Sequence, residues 1–243
     1  MQSLLRFVFK QRFEVKLLQA LIDNNDDEVD GLLRRRDVKT WINSRVELKE
    51  LKRHNITQDG LKWRNERVDK IEEFETILGY VCTYKSAECL MQILSAGADV
   101  SIKSAYGNTC LHRVCLSNVQ SFEKFELLSR FLDNDIDSFS ATNAYSYGVI
   151  HYAAISENWM IPENILKMHN LDFDVRGSRK ITALYLSAAF GHINCVRVFI
   201  ESGASVDAED ENGWNALHYA SCHGKVECVE LLLNSNANTI RRS

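Results

Sequence analysis

The sequence predicts an all-α solenoid of stacked helix–turn–helix repeats, and three observations carry that prediction. The chain repeats itself at a fixed spacing: Asn215-Ala216-Leu217-His218-Tyr219-Ala220 follows Thr182-Ala183-Leu184-Tyr185 at 33 residues, counted from Leu184 to Leu217. A period between about 20 and 50 residues is the signature of repeat arrays. Leu, Ala and Val recur at helical spacing, and alternating β-type runs are scarce. Gly191 and Gly224 close one set of helix-length segments, and Gly97, Gly203 and Asn236 close the other. A left-handed C-cap suits a residue without a β-carbon, with Asn the usual substitute.

Taken in chain order, residues 1–76 form a helical segment with one degenerate repeat, Leu17-Leu18-Gln19-Ala20 followed by Glu28-Val29-Asp30-Gly31-Leu32-Leu33, and a charged insertion. Five clear repeats then run over about 77–106, 107–145, 146–179, 180–212 and 213–239, with a tail at 240–243. Leu78 stands 33 residues before Leu111, whereas Ile150 lies 39 after it, so extra residues around Ser117–Phe125 lengthen the Leu111 unit. Thr109, Thr182 and Asn215 stand where each first helix needs an N-cap oxygen for its unpaired N–H groups. The Leu and Ala positions face the neighbouring units, because one helix pair cannot bury its apolar face alone.

These residues resemble the ankyrin repeat, whose phrase is a Gly, a Thr-Pro-Leu-His-like helix start and a Gly-Ala-Asp-like turn. Asn108-Thr109-Cys110-Leu111-His112, Gly148-Val149-Ile150-His151, Thr182-Ala183-Leu184-Tyr185 and Asn215-Ala216-Leu217-His218 carry it, and Gly97-Ala98-Asp99 matches the turn. The Pro of the phrase is replaced by Cys110, Val149, Ala183 and Ala216, so the first helices begin with less pre-organisation. The resemblance covers residues 77–239 and implies imidazoles that tie neighbouring loops. It also implies partner binding through the loop tips and inner helices of a concave face.

The 243 residues carry ordinary charge, a formal net charge of −4 and a single Pro, the composition of a folded domain. No stretch reaches the roughly 18 apolar residues of a membrane-crossing helix, and Arg6 interrupts the N-terminal apolar run, so neither a span nor a secretory leader is expected. Seven cysteines fall in repeated slots: Cys89, Cys195 and Cys228 each lie eleven residues after their unit's Leu, and Cys82 and Cys115 each four after. That placement makes them small packing residues in a reducing compartment, cytoplasmic or nuclear, where the sequon Asn55-Ile56-Thr57 carries no weight.

Residues 34–67 hold eleven Lys/Arg against five Asp/Glu, a window of +6, which leaves 18 against 28, or −10, on the rest. Two readings stand for this segment: a solvated helical extension on the N-terminal end of the stack, or a contact for nucleic acid or an acidic partner. Cys110-x-His112-x-x-Cys115 has metal-like residues without the paired spacing of a zinc site, and His112 already fills the repeat's His slot. Cys222-His223 are neighbours on a helix and do not face each other. Asp133-Asn134-Asp135-Ile136-Asp137 lacks the Gly and Glu of a calcium loop, which here are Ser138 and Ala144. No phosphate loop, HExxH or nucleophile elbow occurs, so no cofactor, metal or catalytic site is expected.

The expected function is therefore binding of another protein, as a monomeric scaffold or adaptor without catalysis. The candidate contact residues are Tyr106, Asn108, Tyr145, Tyr147, Arg179, Ile181, Glu211 and Trp214, because aromatics and Arg dominate interface hot spots. Charge shifts along the row, from Arg176, Arg179 and Lys180 to Glu209, Asp210 and Glu211. A recruitment module of a larger protein, such as a ubiquitin-ligase adaptor or a channel, is the alternative. Val226, Val229, Leu231, Leu232 and Leu233 keep the internal pattern close to the last residue, which reads as a fragment or as an end that a partner covers.

Overall fold

The structure, a computed structural model, describes residues 13–43, 45–47, 74–117, 121–132, 136–156, 158–167, 172 and 174–235. They gather into two compact units, 1–127 and 128–243. Each contains helix–turn–helix pairs of the kind the repeats predict.

The first unit opens with a helix pair, α1 over residues 13–22 and α2 (Asp26–Leu33). Asn25 caps α2 by accepting the Glu28 N–H, and Asp26, Asp27 and Glu28 set negative charge against the positive end of the helix dipole. Leu17, Leu18, Ala20, Leu21, Val29 and Leu32 are buried. A short α3 (Val38–Trp41) buries Trp41 and Ile42. The Asn43 amide then donates to Gly97 O at 3.2 Å and accepts the Asp99 N–H at 2.7 Å, pinning α3 to the turn of the next repeat. Strands β1 (Arg45–Glu47) and β2 (Phe74–Thr76) pair antiparallel, Val46 against Glu75, and so bracket the charged insertion. Its interior, residues 48–73, lies outside the described residues, as do Asp133-Asn134-Asp135 and the tail from 236.

Thr76 closes β2 and caps α4 (Ile77–Tyr84) by accepting the Gly79 N–H at 2.9 Å. Ser86 caps α5 (Ala87–Ser95) in the same way, and α4 packs on α5 and on α6 (Cys110–Cys115). The lengthened unit holds α7 (Ser121–Phe131).

In the second unit, α8 (Ile136–Ser140) packs on α9 (Val149–Ile155). Two layers follow. Helices α9, α11 (Ala183–Phe190) and α13 (Ala216–Cys222) pack side by side, and α10 (Met160–Leu166), α12 (Ile193–Glu201) and α14 (Val226–Asn234) pack behind them. Cys195 and Cys228 sit at the seam between layers, buried as their register predicts. Gly191 (φ +80°) ends α11 in the left-handed conformation that the sequence calls for. Asn215 caps α13 as expected. Thr182 stands at the N-cap of α11, yet its hydroxyl forms no cap bond and is buried without a partner.

Candidate functional site

Each loop tip is built by one residue that turns the chain and one that holds it. In the second unit the Asn143 N–H donates to Tyr147 O at 2.9 Å, and the Asn143 carboxamide oxygen accepts the N–H groups of Tyr145 and Tyr147 at 2.9 and 3.1 Å. Its amide nitrogen donates to the Tyr152 hydroxyl at 3.0 Å. Asp210 repeats the construction: Oδ1 accepts from the Asn212 and Trp214 N–H groups, both at 2.8 Å, and Oδ2 accepts from the Tyr219 hydroxyl at 2.9 Å. These hydrogen bonds hold the Asp210 carboxyl below the usual carboxylate range against the upward pull of its burial. In the first unit Ser104 does a simpler version, its hydroxyl accepting the Asn108 N–H at 3.1 Å.

The middle tip of the second unit departs from this. Gly177 occupies the anchoring place, and the Tyr147 ring lies on it so closely that a β-carbon there would come within 2.4 Å of the ring. Tyr147 also meets His151 edge-on at 5.3 Å. The His151 Nδ1 accepts the Gly148 N–H at 3.0 Å and Nε2 lies 3.1 Å from Ile181 O, so the imidazole joins one repeat's helix start to the next repeat's tip. Burial lowers its pKa to about 4, which keeps the ring neutral and the Nε2–H a donor to that carbonyl. His112 and His218 use Nδ1 likewise, accepting from Thr109 and Asn215 N–H groups at 3.2 Å. Tyr185 fills the His slot of the remaining repeat and stacks on Tyr219 at 5.5 Å, with its hydroxyl buried and unpartnered.

Backbone bonds tie the tips into a row within this unit. The Ser178 N–H donates to Tyr145 O at 3.1 Å, and the Glu211 N–H donates to Arg179 O at 3.2 Å. Arg176 adds a bond to Glu209 O at 3.0 Å. On that row Arg179 and Glu211 are exposed and Tyr145 and Trp214 are half-buried, Trp214 resting edge-on against Tyr219 at 5.6 Å. Tyr147 (9% exposed) and Ile181 (5%) point inward and serve packing. Tyr106 and Asn108 are half-buried at the corresponding tip of the first unit. The sequence reading missed the Asx–Tyr anchor, although its signal was present: Asn143 to Tyr152 and Asp210 to Tyr219 are both nine residues.

Burial works against thiolate formation at five of the cysteines. Burial pushes Cys89 up to about 11 and Cys110 and Cys195 up to about 12, and raises Cys115 and Cys228 as well. Among the described residues no group of three His, Cys, Asp or Glu side chains gathers to hold a metal, and no helix is long and apolar enough to cross a membrane. Part of the basic window is committed internally: Arg35 lies 4.0 Å over the Phe13 ring and pairs with Asp37 at 3.0 Å, and Arg34 pairs with Asp30 at 3.3 Å.

Layered helix pairs, hydrogen-bonded tips and an imidazole bridge between repeats define a helical-repeat protein. Residues 150–243 match the family model of the ankyrin repeats, in three copies. It is 28% identical over 129 residues to the NF-kappa-B inhibitor cactus of Drosophila melanogaster, over 53% of this chain and 24% of that one. It is 31% identical over 81 residues to calmodulin-binding transcription activator 6 of Arabidopsis thaliana, over 33% of this chain and 9% of that one. A rice relative, calmodulin-binding transcription activator CBT, is 41% identical over 56 residues, 23% of this chain and 6% of that one. The chain thus spans less than a quarter of the length of these relatives.

Proposed function

We propose that the chain is a non-catalytic scaffold or adaptor that binds a partner protein through its loop tips and inner helices, in a reducing compartment such as the cytoplasm. The observation that carries this reading is the row of tips in the second unit, tied by Ser178 to Tyr145 O and Glu211 to Arg179 O. A surface fixed in advance by backbone bonds loses little entropy on docking, which is where affinity is gained. Tyr145, Arg179, Glu211 and Trp214 form its contact set, Tyr106 and Asn108 supply the equivalent in the first unit, and Tyr147 and Ile181 support the row from beneath.

Affinity capture from a cell lysate with mass spectrometry tests the reading. The variant Tyr106→Ala/Tyr145→Ala/Glu211→Lys leaves the buried Tyr147 and Ile181 in place and is checked for unchanged helical circular dichroism. A protein captured by the wild type and lost by the folded variant is the expected outcome. If the two capture the same proteins, the tips are not the binding surface.

A further inference from the structure

The tips differ in how they meet one geometric demand. Each places a residue in the left-handed conformation at its turn: Gly107 (φ +80°), Ser146 (φ +62°) and Gly213 (φ +74°) fill that place at three of the tips. In the middle tip of the second unit the same place is taken by Lys180 (φ +60°), and Arg179 before it is left-handed too (φ +59°). A side chain with a β-carbon pays for that conformation in strain, and unlike Asn or Asp neither Lys nor Arg has a short polar group to soften it. The fold explains the backbone: the left-handed turn presents Arg179 O to the Glu211 N–H. It does not explain the residue types, since Gly107 and Gly213 meet the demand without strain. Sparsely populated backbone held by non-glycine residues gathers at ligand-binding positions.

We propose that Arg179 and Lys180, with Arg176, form a cationic contact for an acidic peptide segment of a partner protein, at the centre of the tip row. Arg179, Lys180 and Arg176 are exposed, and the backbone ties hold Tyr145 on one side of them and Glu211 and Trp214 on the other. Tyr145 offers a ring beside the cations, where a peptide side chain can bury apolar area next to its carboxylates. The carboxylates of half-buried Glu209 and exposed Glu211 follow at once, so the positive stretch is about one tip long. That suits a short acidic segment and opposes a nucleic acid, whose phosphates continue past the cations into the carboxylates. The inference rests on the tip-row reading above and names the chemistry of its partner.

The test is selection of a random 12-residue peptide library on the intact chain, followed by fluorescence anisotropy of the recovered peptides. Peptides sharing at least two Asp or Glu are expected. Their Kd should rise about 10-fold or more on Lys180→Gly and on Arg179→Gly, equivalent to one lost charge-assisted contact. The melting temperature of Lys180→Gly should rise by about 2–4 °C as the strain is relieved, so that lost binding is not lost folding. Recovery of neutral or basic peptides only, of none, or unchanged affinity in both glycine variants overturns the proposal. So does a single-stranded DNA oligonucleotide that binds as tightly and is released by the same variants. Peptides lost on Tyr145→Ala but kept by both glycine variants would sink the acidic-segment inference while leaving the tip-row reading intact.

Discussion

Replacing Lys124 by Met separates two opposing contributions that meet at one buried nitrogen. The side chain is fully buried and its ammonium has no carboxylate partner among its hydrogen bonds. It donates instead to Cys82 O at 2.7 Å, to Lys85 O at 2.9 Å and to the Ser117 hydroxyl. The two carbonyls close the end of α4, where the helix leaves acceptors unpaired and its dipole favours a cation. Burial lowers the Lys124 pKa from 10.5 to about 8, a charge-burial cost of about 3 kcal/mol at 1.36 kcal/mol per pKa unit. Three hydrogen bonds from a charged donor contribute about 1.5–3 kcal/mol each, which exceeds that cost. Lys124→Met should therefore destabilise the first unit by about 3 kcal/mol, although Met fits the space. Urea denaturation followed by circular dichroism reads this. The pH dependence supplies a second readout. Between pH 8 and 10.5 the unfolded chain holds more proton on this lysine than the folded one, so wild-type stability rises with pH across that window. The difference between wild type and variant should grow by about 3 kcal/mol there. A variant as stable as the wild type at pH 7 would refute the reasoning, since it would mean that the three bonds only offset the burial of the charge.

Two further perturbations act on the second unit. His151 is neutral in the fold with a pKa of about 4 against 6.5 when unfolded. The unfolded state binds the extra proton between those values, so stability is complete above pH 6.5 and falls by about 3 kcal/mol as pH drops to 4; His151→Gln should flatten that limb in urea titrations, and an unaltered slope would contradict the assignment. Tyr185→Phe removes a buried hydroxyl that has no partner while keeping the stack on Tyr219, and should leave stability unchanged or raise it by about 1 kcal/mol. A loss of more than about 1 kcal/mol would show that the hydroxyl is bonded in solution.

The repeat register is legible because it is a demand of packing: each helix pair must bury the same face, so Leu111, Ile150, Leu184 and Leu217 recur and their neighbours follow. Asn215 is legible as a cap because it bonds locally. What escapes the sequence is bonding to main chain at a distance. Lys124 reads as one more cation in an amphipathic helix, since its acceptors are carbonyls 39 and 42 residues away that any sequence would provide. The β1–β2 ribbon escapes for the same reason, being a pairing of backbone across an insertion. Tyr147 and Ile181 were read with the surface set because the tip position predicts exposure. Their inward turn depends on Gly177, whose missing side chain opens the space the ring fills.

The residues that hold the tips are not the residues the tips display. Asn143, Asp210, Tyr152, Tyr219 and His151 set the shape of the row by bonds that end on backbone or on one another. Tyr145, Arg179, Lys180 and Glu211 ride on that shape, and Tyr145, Arg179 and Glu211 enter the ties between tips through their backbone groups. Under the tip-row reading, substitution on the displayed set is expected to change recognition while leaving the bonds of the holding set in place. The family match covers residues 150–243, and so takes in His151, Tyr152, Asp210 and Tyr219 of the holding set, while Asn143 lies before it. On the displayed set, Lys180 holds the left-handed conformation that Gly107 and Gly213 hold at other tips, and Arg179 before it is left-handed too.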